Sequence, residues 1–212
     1  WQAGAAFVLV GEAGLGKSRL LNELAAAGPG RVLESARPGD EAVPYGALVR
    51  LLRSMARAAP AAHRLWPDGA ARAELARLLP ELGDPPSAPG LQALLHGALE
   101  QVFQAAPSAG VQVVLFDDLQ HADDATRTVL QRVVAAPGLL WGLASRPAPA
   151  EAAPGQGGDL SRWLASSARL QPVLLSALAD TDLAELLASL QLQAINTAAL
   201  APMERAAILA AL

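Results

Sequence analysis

One stretch of the 212-residue chain carries the residue types and spacing that phosphate chemistry needs. Gly11-Glu12-Ala13-Gly14-Leu15-Gly16-Lys17-Ser18 follows the pattern G-x-x-x-x-G-K-[ST]. Glycines let a backbone wind tightly and aim its N–H groups at phosphate oxygens. A lysine placed as Lys17 is would reach β- and γ-phosphates, and a hydroxyl placed as in Ser18 would ligate Mg2+. Lys17 is the sole lysine among 16 Lys and Arg residues, and it stands where such a loop requires one. With Arg19, which opens the following helix, these residues form a candidate nucleotide cradle. A dinucleotide-type G-x-G-x-x-G would need glycine at position 19, so that reading fails.

A second segment delivers carboxylates. Val113-Val114-Leu115-Phe116-Asp117-Asp118 is an apolar run closed by two aspartates. Ligands bind outside the carboxyl ends of strands in open α/β sheets. Asp117 would therefore hold Mg2+, directly or through its water shell, and Asp118 would orient or polarise an attacking water. Arg146 follows the apolar run 139–145 and would share that edge, sensing a γ-phosphate or stabilising charge in transfer. His121 and Asp123 stand where they would cap the next helix or position Asp118. His63 and His96 are isolated, lack metal spacing and read as structural.

The elements that must position these residues alternate along the chain. Short apolar runs at 7–10, 31–35, 111–116, 139–145 and 170–175 read as strands. Apolar residues at helical spacing predict helices from Lys17 to a stop at Gly28, and over 45–58, 70–79, 91–105, 124–135 and 181–190. Residues 147–158, rich in Pro, Ala and Gly, read as a flexible loop. Such alternation predicts an α/β fold with a mostly parallel sheet. We expect a core over 1–190 and a helical tail over 191–212, a candidate for the truncated start of a lid domain.

Composition narrows the function classes. The chain is 52% apolar but only 4% aromatic, which favours helices over an all-β sandwich. It has no cysteine, which removes disulfides, thiolate metal sites and cysteine nucleophiles. A net charge of −4 argues against DNA binding by this chain itself, so DNA would be contacted only through another domain. No apolar run approaches a bilayer-spanning length, and no signal peptide is visible at an opening that lacks Met. These features are compatible with a cytoplasmic protein trimmed from a longer one.

With both motifs placed, the chain resembles P-loop ATPases of the STAND class, close to the AAA-type modules of large bacterial regulators such as the large ATP-binding LuxR-type activators. The resemblance rests on Gly11 to Leu21, Pro44-Tyr45-Gly46-Ala47-Leu48, Asp117-Asp118-Leu119-Gln120-His121-Ala122-Asp123, Ser145-Arg146-Pro147 and two later segments, Leu174-Leu175-Ser176-Ala177-Leu178 and Leu183-Ala184-Glu185-Leu186-Leu187. It implies a P-loop NTPase three-layer fold, with a five-stranded, mostly parallel sheet flanked by helices, that binds ATP and Mg2+. It also implies a switch whose nucleotide state controls self-association or attached effector domains. In the resemblance Arg146 matches a sensor arginine and Asp118 the second acidic residue of the strand-end motif. Two parts of the family pattern do not occur in this sequence. They are a Val-Gly-Arg-Glu type segment before the first strand and a Gly-Asn-Pro signature in the lid. The expected activity is slow ATP hydrolysis, and the alternative is a nucleotide-binding or scaffold module without hydrolysis. A GTPase would usually carry Asn-Lys-x-Asp, and the only lysine is already used at 17. A small-molecule kinase would need an Arg-rich lid, whereas the arginines over 50–77 read as solvated.

Overall fold

Five strands form one sheet in which every pairing is parallel: β1 (Ala6–Val10), β2 (Arg31–Ser35), β3 (Val113–Asp117), β4 (Leu140–Ser145) and β5 (Leu170–Leu174), in the order β2-β3-β4-β1-β5. The helices are α1 (Lys17–Ala26), α2 (Gly46–Ala58), α3 (Gly69–Leu75), α4 (Gln92–Ala109) and α5 (Asp124–Val133). This computed structural model describes residues 5–134, 137–147, 163–164, 167, 169–177, 179 and 182. All but one residue of the expected helix over 181–190, the tail over 191–212 and most of the loop over 147–158 lie outside the described residues.

The central strands are apolar on both faces because both faces are covered. Side chains alternate with period two. Ala6, Val8, Val114, Phe116, Trp141 and Leu143 enter a large core, while Phe7, Leu9, Leu115 and Ala144 enter a smaller one. Leu21 of α1, fully buried, covers the small core with Leu24 and Ala25 packed beside it. Leu48, Leu51, Leu52 and Met55 of α2 close the large core with faces of α4 and α5. Each such side chain contributes about 1.5–3 kcal/mol when fully buried. Helices on both faces of a parallel sheet make the three-layer α/β fold of a P-loop NTPase. On the small-core side, Gly142 of β4 is a contact point rather than a turn. A Cβ there would lie 2.4 Å from Phe7 Cζ and 2.6 Å from Leu115 Cδ2.

Three local expectations change. Helix α4 runs past Pro107 to Ala109 instead of stopping at 105. Pro107 sits in the last turn, and beyond it the Gly110 N–H bonds the Pro107 carbonyl (3.1 Å) and the Val111 N–H bonds the Ala106 carbonyl (2.9 Å). These bonds satisfy two of the carbonyls that any helix end leaves over. Helix α3 ends at Leu75, earlier than 79, and tightens into turns that still bury Leu79. The arginines over 50–77 are not simply solvated. Arg50 bonds Asp40 and Glu34, Arg53 bonds Glu81, and Arg77 bonds Glu74. Arg50 and Arg53 meet carboxylates from β2 and from separate turns, which helical spacing alone does not reveal, whereas Arg77 and Glu74 are three residues apart. No helix among the described residues is long and apolar enough to cross a membrane.

Candidate functional site

Because all five strands are parallel, the ends of β1, β3 and β4 open on one edge, and each delivers a candidate residue there. Strand β1 runs into the glycine-rich loop. Its register sets Val10 opposite Ser145, and Ser35 faces Asp117 on the other side of the sheet. The Gly11 N–H reaches the Ser145 carbonyl (3.4 Å), and the Leu175 N–H bonds the Val10 carbonyl (2.8 Å). The loop is thus rooted between the ends of β4 and β5. Gly14 and Gly16 both take φ of 81°, a left-handed conformation that glycine adopts without a Cβ penalty. Gly16 then hands the chain to α1, whose first turn carries neither a side-chain cap nor an acidic residue. The N–H groups and the dipole of a helix start favour an anion.

Lys17, 6% exposed, turns back onto the loop. Its ammonium donates to the carbonyls of Gly11 and Glu12, each at 2.7 Å. Burial holds its pKa below the ordinary 10.5, and the charge of Arg146 pushes the same way, while Asp117, Asp118 and Glu12 oppose. Those influences put the predicted residues from three strand ends in one electrostatic neighbourhood. Glu12, Ala13, Gly14 and Ser18 are exposed along the loop, with Leu15 half-buried. Arg19 is also exposed and bonds Glu23 one turn along α1 (3.1 Å).

Asp117 is buried and its Oδ1 accepts the Asp118 N–H at 2.8 Å. Asp118 itself is half-buried and left-handed, with φ 51° and ψ 43°. A non-glycine residue in that region costs on the order of 1–3 kcal/mol and persists only where its surroundings hold it. The turn Leu119–His121 follows, pinned by the fully buried Leu119 and Ala122. Within it Gln120 makes two bonds that sequence reasoning did not anticipate. Its Nε2 donates to Asp118 Oδ1 (2.7 Å), and its Oε1 accepts the Arg146 N–H (3.1 Å). Arg146 is exposed at the end of β4. The only signal in the sequence was the position of Gln120 inside the acidic run.

Asp123 and His121 serve the frame around this edge. Asp123, 3% exposed, caps α5 by accepting the Thr126 N–H (2.9 Å) and hydroxyl (2.5 Å). It also accepts the N–H of Tyr45 at 3.0 Å. Tyr45 is the other non-glycine residue with positive φ among the described residues (61°). Its hydroxyl meets the Nε2 of buried His96 at 3.0 Å. The His121 ring bonds Glu41 (2.7 Å) and holds its carboxyl below the usual range. The segment before α2 is therefore fastened twice to the segment after β3.

Comparison with curated proteins finds no match. Among solved structures, one describing DNA unwinding at forked dsDNA by two coordinating Pif1 helicases is similar at 11% identity with a TM-score of 0.35. That likeness covers 91% of this chain and 45% of the other, so the chain spans less than half of that relative's length. The family model described as AAA ATPase domain matches residues 2–144 of the 212. The match takes in the glycine-rich loop, the Asp117–Asp118 strand end and most of β4, and Arg146 follows just beyond it. On that match the chain belongs to the AAA ATPase domain family.

Proposed function

We propose that this chain is a nucleotide switch domain that binds ATP with Mg2+ and hydrolyses it slowly. We place it in the STAND class of large bacterial signalling and transcriptional regulators, acting in the cytoplasm. One observation carries the reading. Lys17 is buried against the loop carbonyls of Gly11 and Glu12, on the edge where β3 ends in Asp117 and Asp118 and β4 runs into Arg146, with Asp118 and Arg146 joined through Gln120. A phosphate chain at that edge would meet a lysine, an arginine and the loop's N–H groups on one side and two carboxylates on the other.

The donor set suits Mg2+. Ser18 and Asp117 offer oxygen ligands, and the described residues contain no cluster of three His, Cys, Asp or Glu that would make a closed cage. Magnesium keeps waters and takes one or two protein oxygens beside substrate phosphates. When bound it would neutralise charge on the phosphate oxygens. The chain's own residues do the rest. Lys17 exchanges its two loop carbonyls for β- and γ-phosphate oxygens. Asp118 orients a water for in-line attack on the γ-phosphorus, and the bond from that phosphorus to the β–γ bridging oxygen breaks, giving ADP and phosphate. Arg146 balances charge on the transferred group. Positioning and electrostatics supply the catalysis, without a covalent intermediate. Nucleotide state would then control self-association or effector domains of the same protein.

Mg2+-ATP calorimetry on this chain, followed by a phosphate-release assay, tests the reading. Asp118→Asn should keep ATP affinity and lose most of the release. Absence of ATP binding by the folded parent overturns the proposal. Binding without release leaves a nucleotide-binding module in its place.

A further inference from the structure

The amide of Gln120 has a donor end and an acceptor end, and both are committed. Nε2 donates to the Asp118 carboxylate (2.7 Å) and Oε1 accepts the Arg146 N–H (3.1 Å). A flipped amide would set oxygen against carboxylate and N–H against N–H, so the two bonds fix its orientation together. The backbone that carries the amide is also fixed. Leu119 and Ala122 are fully buried on either side, and the His121 N–H bonds the Asp118 carbonyl at 2.9 Å. The left-handed turn at Asp118 curls the chain so that a side chain two residues on reaches back. The two aspartate carboxylates are held differently: Asp117 Oδ1 accepts the N–H of the next residue in the chain, whereas Asp118 Oδ1 accepts from a side chain that also bonds the Arg146 N–H just past β4.

We infer that Gln120 is a positioning residue: it sets the direction of the Asp118 carboxylate and makes that setting depend on the backbone at Arg146. The inference rests on the hydrolytic reading of this edge for its consequence, but the coupling itself is a property of the protein alone. A residue that senses phosphate at the end of β4 would in this way act on the residue that aims the water at the end of β3. Glutamine meets the requirement because glutamate lacks the donor and asparagine is one methylene shorter.

Two measurements test this, one of them without turnover. In 15N-labelled protein, Asp118→Asn is tolerated in a left-handed position and should shift both the Gln120 side-chain amide and the Arg146 backbone amide. In a Gln120→Ala background the same change should leave the Arg146 amide in place. An equal shift in both backgrounds overturns the coupling. In the phosphate-release assay, Gln120→Ala should lower kcat about 10- to 100-fold while KM for ATP stays within about twofold. Gln120→Glu keeps an acceptor for the Arg146 N–H but removes the donor to Asp118, so it should lose as much, and it replaces the alanine variant if that one fails to fold. A parent-like kcat in Gln120→Glu, or a rise in KM with kcat unchanged, overturns the positioning role. A parent chain that releases no phosphate sinks the hydrolytic reading, and the resonance experiment then still decides the coupling.

Discussion

Asp123→Ala should be the most destabilising single change near the site, and it should act without touching nucleotide chemistry. The Asp123 carboxylate is 3% exposed and accepts three hydrogen bonds: the Thr126 N–H at 2.9 Å, the Thr126 hydroxyl at 2.5 Å and the Tyr45 N–H at 3.0 Å. Loss of a helix N-cap costs about 1 kcal/mol. The Thr126 hydroxyl is fully buried and the Tyr45 N–H partly so, and a buried donor left without a partner costs about 1–3 kcal/mol. Together the change should cost about 3–7 kcal/mol, set against total stabilities of about 5–15 kcal/mol. For a chain of this length that is a fall in Tm of about 6–28 °C. Asp123→Asn keeps an oxygen for the two N–H donors, and its amide can donate to the threonine oxygen, so it should cost only about 1 kcal/mol. Urea unfolding of the three proteins gives the comparison. Equal loss in the two variants, or a loss below about 1 kcal/mol for alanine, would refute the argument that unmet donors carry the cost.

Lys17→Ala should weaken Mg2+-ATP binding by about 10- to 150-fold, the effect of losing a hydrogen bond to a charged group worth about 1.5–3 kcal/mol; calorimetry that finds affinity within twofold of the parent contradicts it. Gly142→Ala should cost about 1–3 kcal/mol by overpacking, and Phe7→Leu added to it should recover part of the loss in thermal unfolding, since Phe7 Cζ stands nearest the new methyl. Burial, followed by the charge of Arg132, lowers the pKa of His96 from 6.5. The unfolded chain therefore takes up the proton first as pH falls, so this contribution is intact above about 6.5 and is lost below it. The urea midpoint should drop from pH 7 to 5.5, and His96→Gln should flatten that drop; an unchanged slope rules out His96 as its source.

The parts of this architecture that were readable from the sequence are those written locally. Gly14, Gly16 and Lys17 follow one another in the chain, and their conformations and the start of α1 depend on near neighbours. The apolar runs over β3 and β4 read as buried strands because both of their faces meet helices. Strand order was not readable, since nothing local says that β4 comes to lie between β1 and β3. The bonds of Gln120 and the grip of Asp123 on Tyr45 stayed hidden for the same reason. Each joins residues from separate elements, and a glutamine in a turn looks like any other polar residue until its second partner arrives. The end of α4 differs in the opposite direction: it runs past the expected 105 because Pro107 falls in the last turn, where a helix-breaking residue breaks little.

The seat of β1 in the sheet carries a consequence for how the protein is made. Ala6 pairs with Trp141 of β4 and with Leu170 of β5, so both neighbours of this first strand are encoded far downstream. At roughly 5–20 residues per second, a ribosome needs on the order of 7–30 s to reach them. Until then the strand that carries the glycine-rich loop has no sheet to join, and even after β3 is made and can pair with β2 it waits roughly 1–5 s more for β4. In a nascent chain, then, the nucleotide edge closes late, and Phe7, Val8 and Leu9 are the residues a chaperone would find waiting.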